Sequence, residues 1–145
     1  MKLSSKTRYS LRILIQIILD TKDGQTVKGR EIAAKQHISE AYLEQIMIPP
    51  KSAGLVNTIR GCRGGYSLGK SPENITVLDI IELFEGKIEF ADCKPNGKKC
   101  EMLTQCFTTG IWNELSNALA IAAEKITLAS IIEKYANQNS KEYVI

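Results

Sequence analysis

The sequence predicts a mainly α-helical chain with one small β-hairpin, and three observations predict it. Arg8, Arg12, Gln16 and Asp20 recur every fourth position in a first segment that is otherwise nearly all apolar, which is a helical and not a strand period. A glycine-rich basic stretch, Gly61-Cys62-Arg63-Gly64-Gly65, separates two short runs at 55–60 and 66–68, which is a hairpin signature. Farther on, Ile111, Leu115, Ala118, Leu119, Ala122 and Ile126 form a second stripe at helical spacing.

The elements follow in order. Ser4 or Ser5 caps the first helix, which ends at Asp20. Its single narrow polar stripe requires it to lie against several partners. Asp23-Gly24 is a turn, and a shorter helix over 28–36 carries Ile32, Ala33 and Ala34. Ser39 caps a third helix with Glu40 in its first turn and Tyr42, Leu43 and Ile46 on its apolar face. Pro49 and Pro50 are expected to stop it, since the residue before a proline avoids the α region, leaving a short turn from Pro50 that Gly54 closes. Helix, tight turn, helix is the helix-turn-helix plan, and a basic hairpin directly behind it reads as a wing. Thr76-Val77-Leu78-Asp79 is close to a capping box and opens a helix that ends at Glu85-Gly86. A polar loop with three cysteines leads to a long helix over 108–125. Thr127 then caps a short helix over 128–135, and the polar tail from Asn137 is expected to fray.

Length and charge bound the function. At ~100–150 residues per domain, 145 residues make one compact domain with an extended helix. It divides into a winged helix-turn-helix at 1–70 and a cysteine-loop and dimerisation region at 71–145. No apolar run approaches the ~18 residues of a membrane span, and the N-terminus lacks the order of a secretory signal, so a cytoplasmic protein with no membrane partner is expected. The net charge of +3 conceals an asymmetry: residues 1–70 hold 12 Lys/Arg against 5 Asp/Glu, and residues 71–145 hold 7 against 11. A basic half suits a polyanion, and the acidic half does other work. With His37 as the one histidine, no phosphate-cradling glycine loop before a helix and no nucleophile–base pair, there is no catalytic constellation, and an enzyme is not expected.

Two sets of residues carry chemistry. The N-terminal residues of a recognition helix meet base edges in the major groove, and here these are Ser39, Glu40, Ala41, Tyr42 and Glu44. Arg60 and Arg63 on the wing suit the minor groove or a phosphate. The second set is Cys93-x6-Cys100-x5-Cys106, three of the four cysteines within fourteen residues. Structural zinc favours paired, closer spacings and four ligands, whereas wider spacings in a loop suit an iron–sulfur cluster. A thiol-redox sensor without iron is the other reading. Cys62 is either a small residue filling a glycine-rich turn or a reactive thiol of the wing. His37 is a turn residue or a phosphate contact, and Trp112 a core or dimer anchor.

Tyr42-Leu43-Glu44-Gln45, Ala53-Gly54-Leu55-Val56, Ile59-Arg60-Gly61 and Gly64-Gly65-Tyr66-Ser67-Leu68-Gly69, with the opening Met1-Lys2-Leu3-Ser4-Ser5-Lys6 and Arg8-Tyr9, resemble the winged-helix regulator family that includes IscR, NsrR and CymR. The resemblance covers roughly residues 1–132. It implies a dimeric transcription factor whose long C-terminal helices cross between subunits, with Ser39, Ala41 and Glu44 at positions that read or discriminate bases. It further implies that Cys93, Cys100 and Cys106 hold an iron–sulfur cluster, 2Fe-2S in preference to 4Fe-4S. The fourth ligand departs from the family pattern. The IscR-type histidine is here Thr109, the NsrR-type N-terminal aspartate is here Arg8, and Arg12 on the first helix is equally unsuited. Asp92, Glu101, a solvent or small thiol, or an incomplete site remain.

The reading is therefore a mainly α fold with a β-hairpin wing, a winged helix-turn-helix followed by a dimerisation helix on which Ile111, Trp112, Leu115, Leu119, Ala122 and Ile126 face a second copy. Its expected partner is double-stranded DNA with two-fold-related half-sites, bound by a homodimer that senses cluster, redox or nitrosative status. The alternative is a cluster-free regulator of the same fold, controlled by thiol oxidation or a protein partner.

Overall fold

A computed structural model describes residues 1–93 and 100–142 of the chain, with side chains to Asn139. Residues 94–99, between the first two clustered cysteines, and 143–145 lie outside the described residues. The order is α1 (Ser5–Asp20), α2 (Gly29–Gln36), α3 (Glu40–Ser52), β1 (Val56–Ile59), β2 (Gly65–Leu68), a 3-10 turn (Pro72–Asn74), α4 (Val77–Glu85), α5 (Thr109–Glu124) and α6 (Leu128–Glu142).

Helix α1 is the centre of the molecule. Ser4 caps it by accepting the Thr7 amide, and Ile13, Leu14 and Ile17 on its apolar flank are fully buried. Burying each such side chain stabilises by roughly 1.5–3 kcal/mol, enough to fix which face turns inward. α1 meets α2, α3, α4, α6 and the wing strand β2, as its nearly all-apolar surface requires. Its polar stripe is zipped to α2. Arg12 Nε donates to Gln36 Oε1 at 2.8 Å, Gln36 Nε2 to Gln16 Oε1 at 3.0 Å, and Gln16 Nε2 to Asp20 Oδ2 at 2.8 Å. Lys35 closes the row on Asp20 at 2.7 Å. The main core also takes Ile32, Leu43, Ile46, Met47, Val56, Ile75, Ile80 and Leu128, so residues from both ends of the chain complete one interior.

Local chemistry sets the joints. His37 takes the left-handed conformation at φ 55° and ends α2, its amide and that of Ile38 returning to the carbonyls of Ala34 and Ala33. Ser39 then caps α3. In the wing, Val56 faces Leu68 and Ile59 faces Gly65 in antiparallel register, and Val27 exchanges backbone hydrogen bonds with Tyr66 along the outer edge. The two glycines before Tyr66 are there for space. A Cβ at Gly64 would lie 2.0 Å from the Ile59 carbonyl oxygen, and one at Gly65 2.4 Å from that of Val27. Thr76 and Asp79 form the capping box of α4, and Thr127 and Ser130 hydrogen-bond reciprocally at the head of α6.

Two expectations are corrected. The prolines do not stop α3, which continues through Pro49 and Pro50 to Ser52. They cost the helix two amide donors, but Pro50 is buried in the core and the proline carbonyls close the end, accepting from Ala53 at 3.0 Å and Leu55 at 2.9 Å. The last helix does not end at Tyr135 but runs to Glu142, because the polar residues from Asn137 onward are compatible with an exposed helix. Among the described residues no helix is long and apolar enough to cross a membrane.

Candidate nucleic-acid interface and cysteine loop

Helix α3 presents its first turn outward. The Ser39 hydroxyl accepts the Tyr42 amide at 3.1 Å and keeps its own proton to donate, while Glu40, Ala41 and Glu44 are exposed beside it. Tyr42 is different. It is half-buried, and its ring packs edge-on against Tyr9 with centroids 5.9 Å apart, while the Arg12 guanidinium sits 5.0 Å over the other side of the pair, on Tyr9. Arg12 is thereby held by Tyr9 and Gln36. Exposed Arg8 lies one turn earlier and donates to Ser5 Oγ at 3.2 Å.

The wing stands across from α3, and the two enclose an open groove of about 610 Å³. Its walls are Ala41, Glu44, Gln45, Ile48 and Lys51 on the helix and Thr58, Ile59, Arg60 and Tyr66 on the hairpin. Burial, and the Glu44 carboxylate close by, push the Tyr66 phenol above its ordinary value, so it stays a neutral donor. A neighbouring groove joins Lys28 and Arg30 at the head of α2 to Glu40, Glu44 and Cys62. Arg60, Cys62 and Arg63 are all exposed on the wing. Gln45, Ile48, Lys51, Lys28 and Arg30 were not anticipated from the sequence. The helical spacing 41–44–48–51 contains the signal for Lys51, but a helix ended at the prolines excludes it.

The cysteines occupy the other end of the chain. Cys93 is half-buried and lines a cavity of about 320 Å³ with Lys87, Ile88, Asn113 and Ser116, where Ser116 Oγ accepts the Phe90 amide at 3.0 Å. Cys100 is exposed, and so are Asp92 and Glu101. Cys106 stands just ahead of α5 with its sulfur 3.1 Å from Thr108 Oγ1. That hydroxyl first, then Thr109 and the amides of both threonines, bring its thiol down to about 7. All four cysteines are free. Among the described residues, no three or more His, Cys, Asp or Glu side chains stand together as a metal site, so the structure places the three thiols in one region without joining them. The Thr109 hydroxyl is buried beside the same sulfur.

Helix α5 follows the loop and buries only Ala123, against Ile81 and Ile88. Ile111, Trp112, Leu115, Leu119, Ala122 and Ile126 are all exposed.

This arrangement of capped helix pair, wing and trailing helices recurs in known proteins. The family model of the Rrf2 regulators, described as iron-dependent transcriptional regulators, matches residues 3–134. The chain belongs to the Rrf2 family. Within it, the chain is 34% identical to the HTH-type transcriptional regulator IscR of Aliivibrio salmonicida over 91% of its length and 77% of the relative's. Among solved structures it is similar to CymR, the global cysteine regulator of B. subtilis, with a TM-score of 0.74 and 31% identity over 92% of this chain and 98% of that one. T. potens IscR superposes with a TM-score of 0.72 at 29% identity, over 93% and 88%. As an Rrf2 protein the chain is a DNA-binding transcriptional regulator and not an enzyme, and its fold is a winged helix-turn-helix.

Proposed function

We propose that this Rrf2 regulator binds two-fold-related DNA half-sites as a homodimer and that Cys93, Cys100 and Cys106 set its affinity by holding an iron–sulfur cluster. The observation that carries the reading is Cys106. It is half-buried with its sulfur 3.1 Å from Thr108 Oγ1, a contact that favours the ligating thiolate, and it sits directly before the exposed apolar helix on which a second copy would pack. The donor chemistry fits three cluster ligands. When bound, the cluster would supply a centre whose gain or loss redraws the loop's bonding. The chain's own part is to hold the thiols, to tie the start of the loop to α5 through Phe90 and Ser116, and to carry Ser39, Glu40, Ala41, Tyr42, Glu44, Arg60 and Arg63 to DNA.

On helix α1, Arg8 and Arg12 are cations already engaged with Ser5, Gln36 and Tyr9, and the Asp20 carboxylate is engaged with Lys35 and Gln16. The buried Thr109 hydroxyl is a weak donor to iron, and it already supports the Cys106 sulfur. Asp92 or Glu101 is then the natural carboxylate ligand of a 2Fe-2S cluster, and both are exposed beside the loop. The second reading is a cluster-free thiol regulator. It is favoured by the likeness to CymR and by thiols that stand apart among the described residues.

Anaerobic reconstitution with iron and sulfide decides between them. On the first reading the protein turns coloured with iron and sulfide in comparable amounts, single Cys93→Ala, Cys100→Ala and Cys106→Ala variants lose most of that iron, and Cys62→Ala keeps it. Thr109→His should prolong the colour in air. Three cysteine variants that all retain full iron and sulfide would remove the cluster, and a colourless wild type that changes DNA affinity on thiol oxidation would establish the second reading.

A further inference from the structure

We infer that Arg12 is a positioning residue for base reading: from α1 it clamps the angle between α2 and α3 and so aims the first turn of α3. The inference rests on the reading of α3 as the recognition helix, and it concerns a residue outside the set that meets DNA. Arg12 reaches both sides of the joint. Toward α2, its Nε donates at 2.8 Å to Oε1 of Gln36, the last residue of that helix. Toward α3, its guanidinium lies 5.0 Å over the Tyr9 ring, and Tyr9 meets Tyr42 edge-on at 5.9 Å with 81° between the rings. A guanidinium suits both tasks at once, because it is flat enough to lie on a ring while its edge still donates.

The joint it spans needs holding. His37, between Gln36 and the Ser39 cap, is in the left-handed region at φ 55° without being glycine, a conformation that persists where its surroundings fix it. Leu43, Ile46 and Met47 anchor the body of α3 in the core, but Glu40 and Ala41 are exposed, and Tyr42 is the first side chain of the helix to be partly buried. The first turn is therefore steadied from α1 through that tyrosine. Arg12 acts from a row already in place, since Gln36 is bonded to Gln16, Gln16 to Asp20 and Asp20 to Lys35. Base-edge hydrogen bonds tolerate little misalignment, whereas phosphate attraction falls off gradually, so a loosened joint costs sequence discrimination first.

The test compares two labelled duplexes of about 30 base pairs, long enough for two half-sites: one selected by the wild-type protein from a random pool, the other with its half-sites scrambled. The readout is the ratio of the two affinities. A merely structural role would not move it, because a smaller folded fraction weakens both duplexes alike. Arg12→Ala should lower the ratio by up to about five-fold per protomer, the worth of one exposed cation–π contact, with scrambled-duplex affinity and salt slope as in wild type. Tyr9→Phe, which keeps the ring, should retain the wild-type ratio, and Tyr9→Leu should reproduce the loss. An unchanged ratio in Arg12→Ala while wild type discriminates would overturn the clamp alone. Equal weakening on both duplexes with a flattened salt slope would overturn it too, making Arg12 a phosphate contact. A wild type that selects no sequence would instead bring down the reading of α3 on which the clamp rests.

Discussion

Helices α1 and α5 are both sixteen residues long and both apolar along one broad face, yet they end up in opposite situations. α1 is enclosed by four helices and a strand, with Ile13, Leu14 and Ile17 wholly out of solvent. α5 meets α4 at its C-terminal end and leaves Ile111 51%, Trp112 37%, Leu115 44% and Leu119 37% exposed. The difference lies in what the chain has left to offer. Residues 1–90 and α6 close around α1, and nothing among the described residues remains to cover α5. An exposed apolar stripe of that length is what the homodimer proposed above would cover.

The sharpest way to separate the two helices is to truncate each. Leu14→Ala removes a fully buried side chain in contact with the rest of the core, and the cost should be about 2–5 kcal/mol, a large part of the stability of a chain this size. Urea denaturation should show the midpoint falling sharply with the slope preserved. Leu115→Ala, on a residue with nearly half its surface in water, should cost far less at protein concentrations where the chain is monomeric. Equal losses under those conditions would mean that α5 is covered within the chain after all.

The second way is to charge the exposed stripe. Leu119→Glu places a carboxylate in the middle of it, where burial against another copy would strand an unpaired charge. The folded monomer should survive, since the site is accessible, while light scattering should show the mass halved and DNA affinity should fall as the paired half-sites are lost. A dimer of unchanged mass would detach the α5 stripe from assembly.

The contrast also explains what was legible in the sequence. Nearly every element of the reading half can be named from its residues, because caps and glycines act locally. Ser39, Thr76 with Asp79, and Gly64-Gly65 each do their work within a few residues of where they stand. The passage of α3 through its prolines was not legible. It depends on Pro50 finding a place in a core built by distant residues, and with it went Lys51. The polar stripe of α1 reads correctly as a stripe, but its ties to Gln36 and Lys35 are tertiary and have no local signature. The cysteine loop is the reverse case. Three thiols in fourteen residues are conspicuous in sequence, while among the described residues the fold does not bring them together as a metal site.

The smallest expected effect tests how α1 is joined to the segment that leads into the cysteines. Glu85, the last residue of α4, accepts hydrogen bonds from the Thr7 hydroxyl and, at 2.8 Å, from the Ser4 amide, fastening the head of α1 to the end of α4. These bonds, that from Thr7 foremost, hold its carboxyl below the ordinary glutamate range. A carboxyl depressed on folding adds stability above its unfolded value and loses it as pH falls through the folded one, so the clasp should matter at neutral pH and fade in acid. Glu85→Gln keeps the shape and removes the charge. The difference in urea midpoint between wild type and this variant should be small at pH 7, because the site is exposed, and should shrink toward zero as pH falls to about 3. A Thr7→Val variant, which deletes the main donor, should show a reduced pH dependence of the same kind. A difference that stays constant with pH would mean that Glu85 acts through packing, and that α1 is fastened to the segment leading into the cysteines by its apolar contacts with α4 alone.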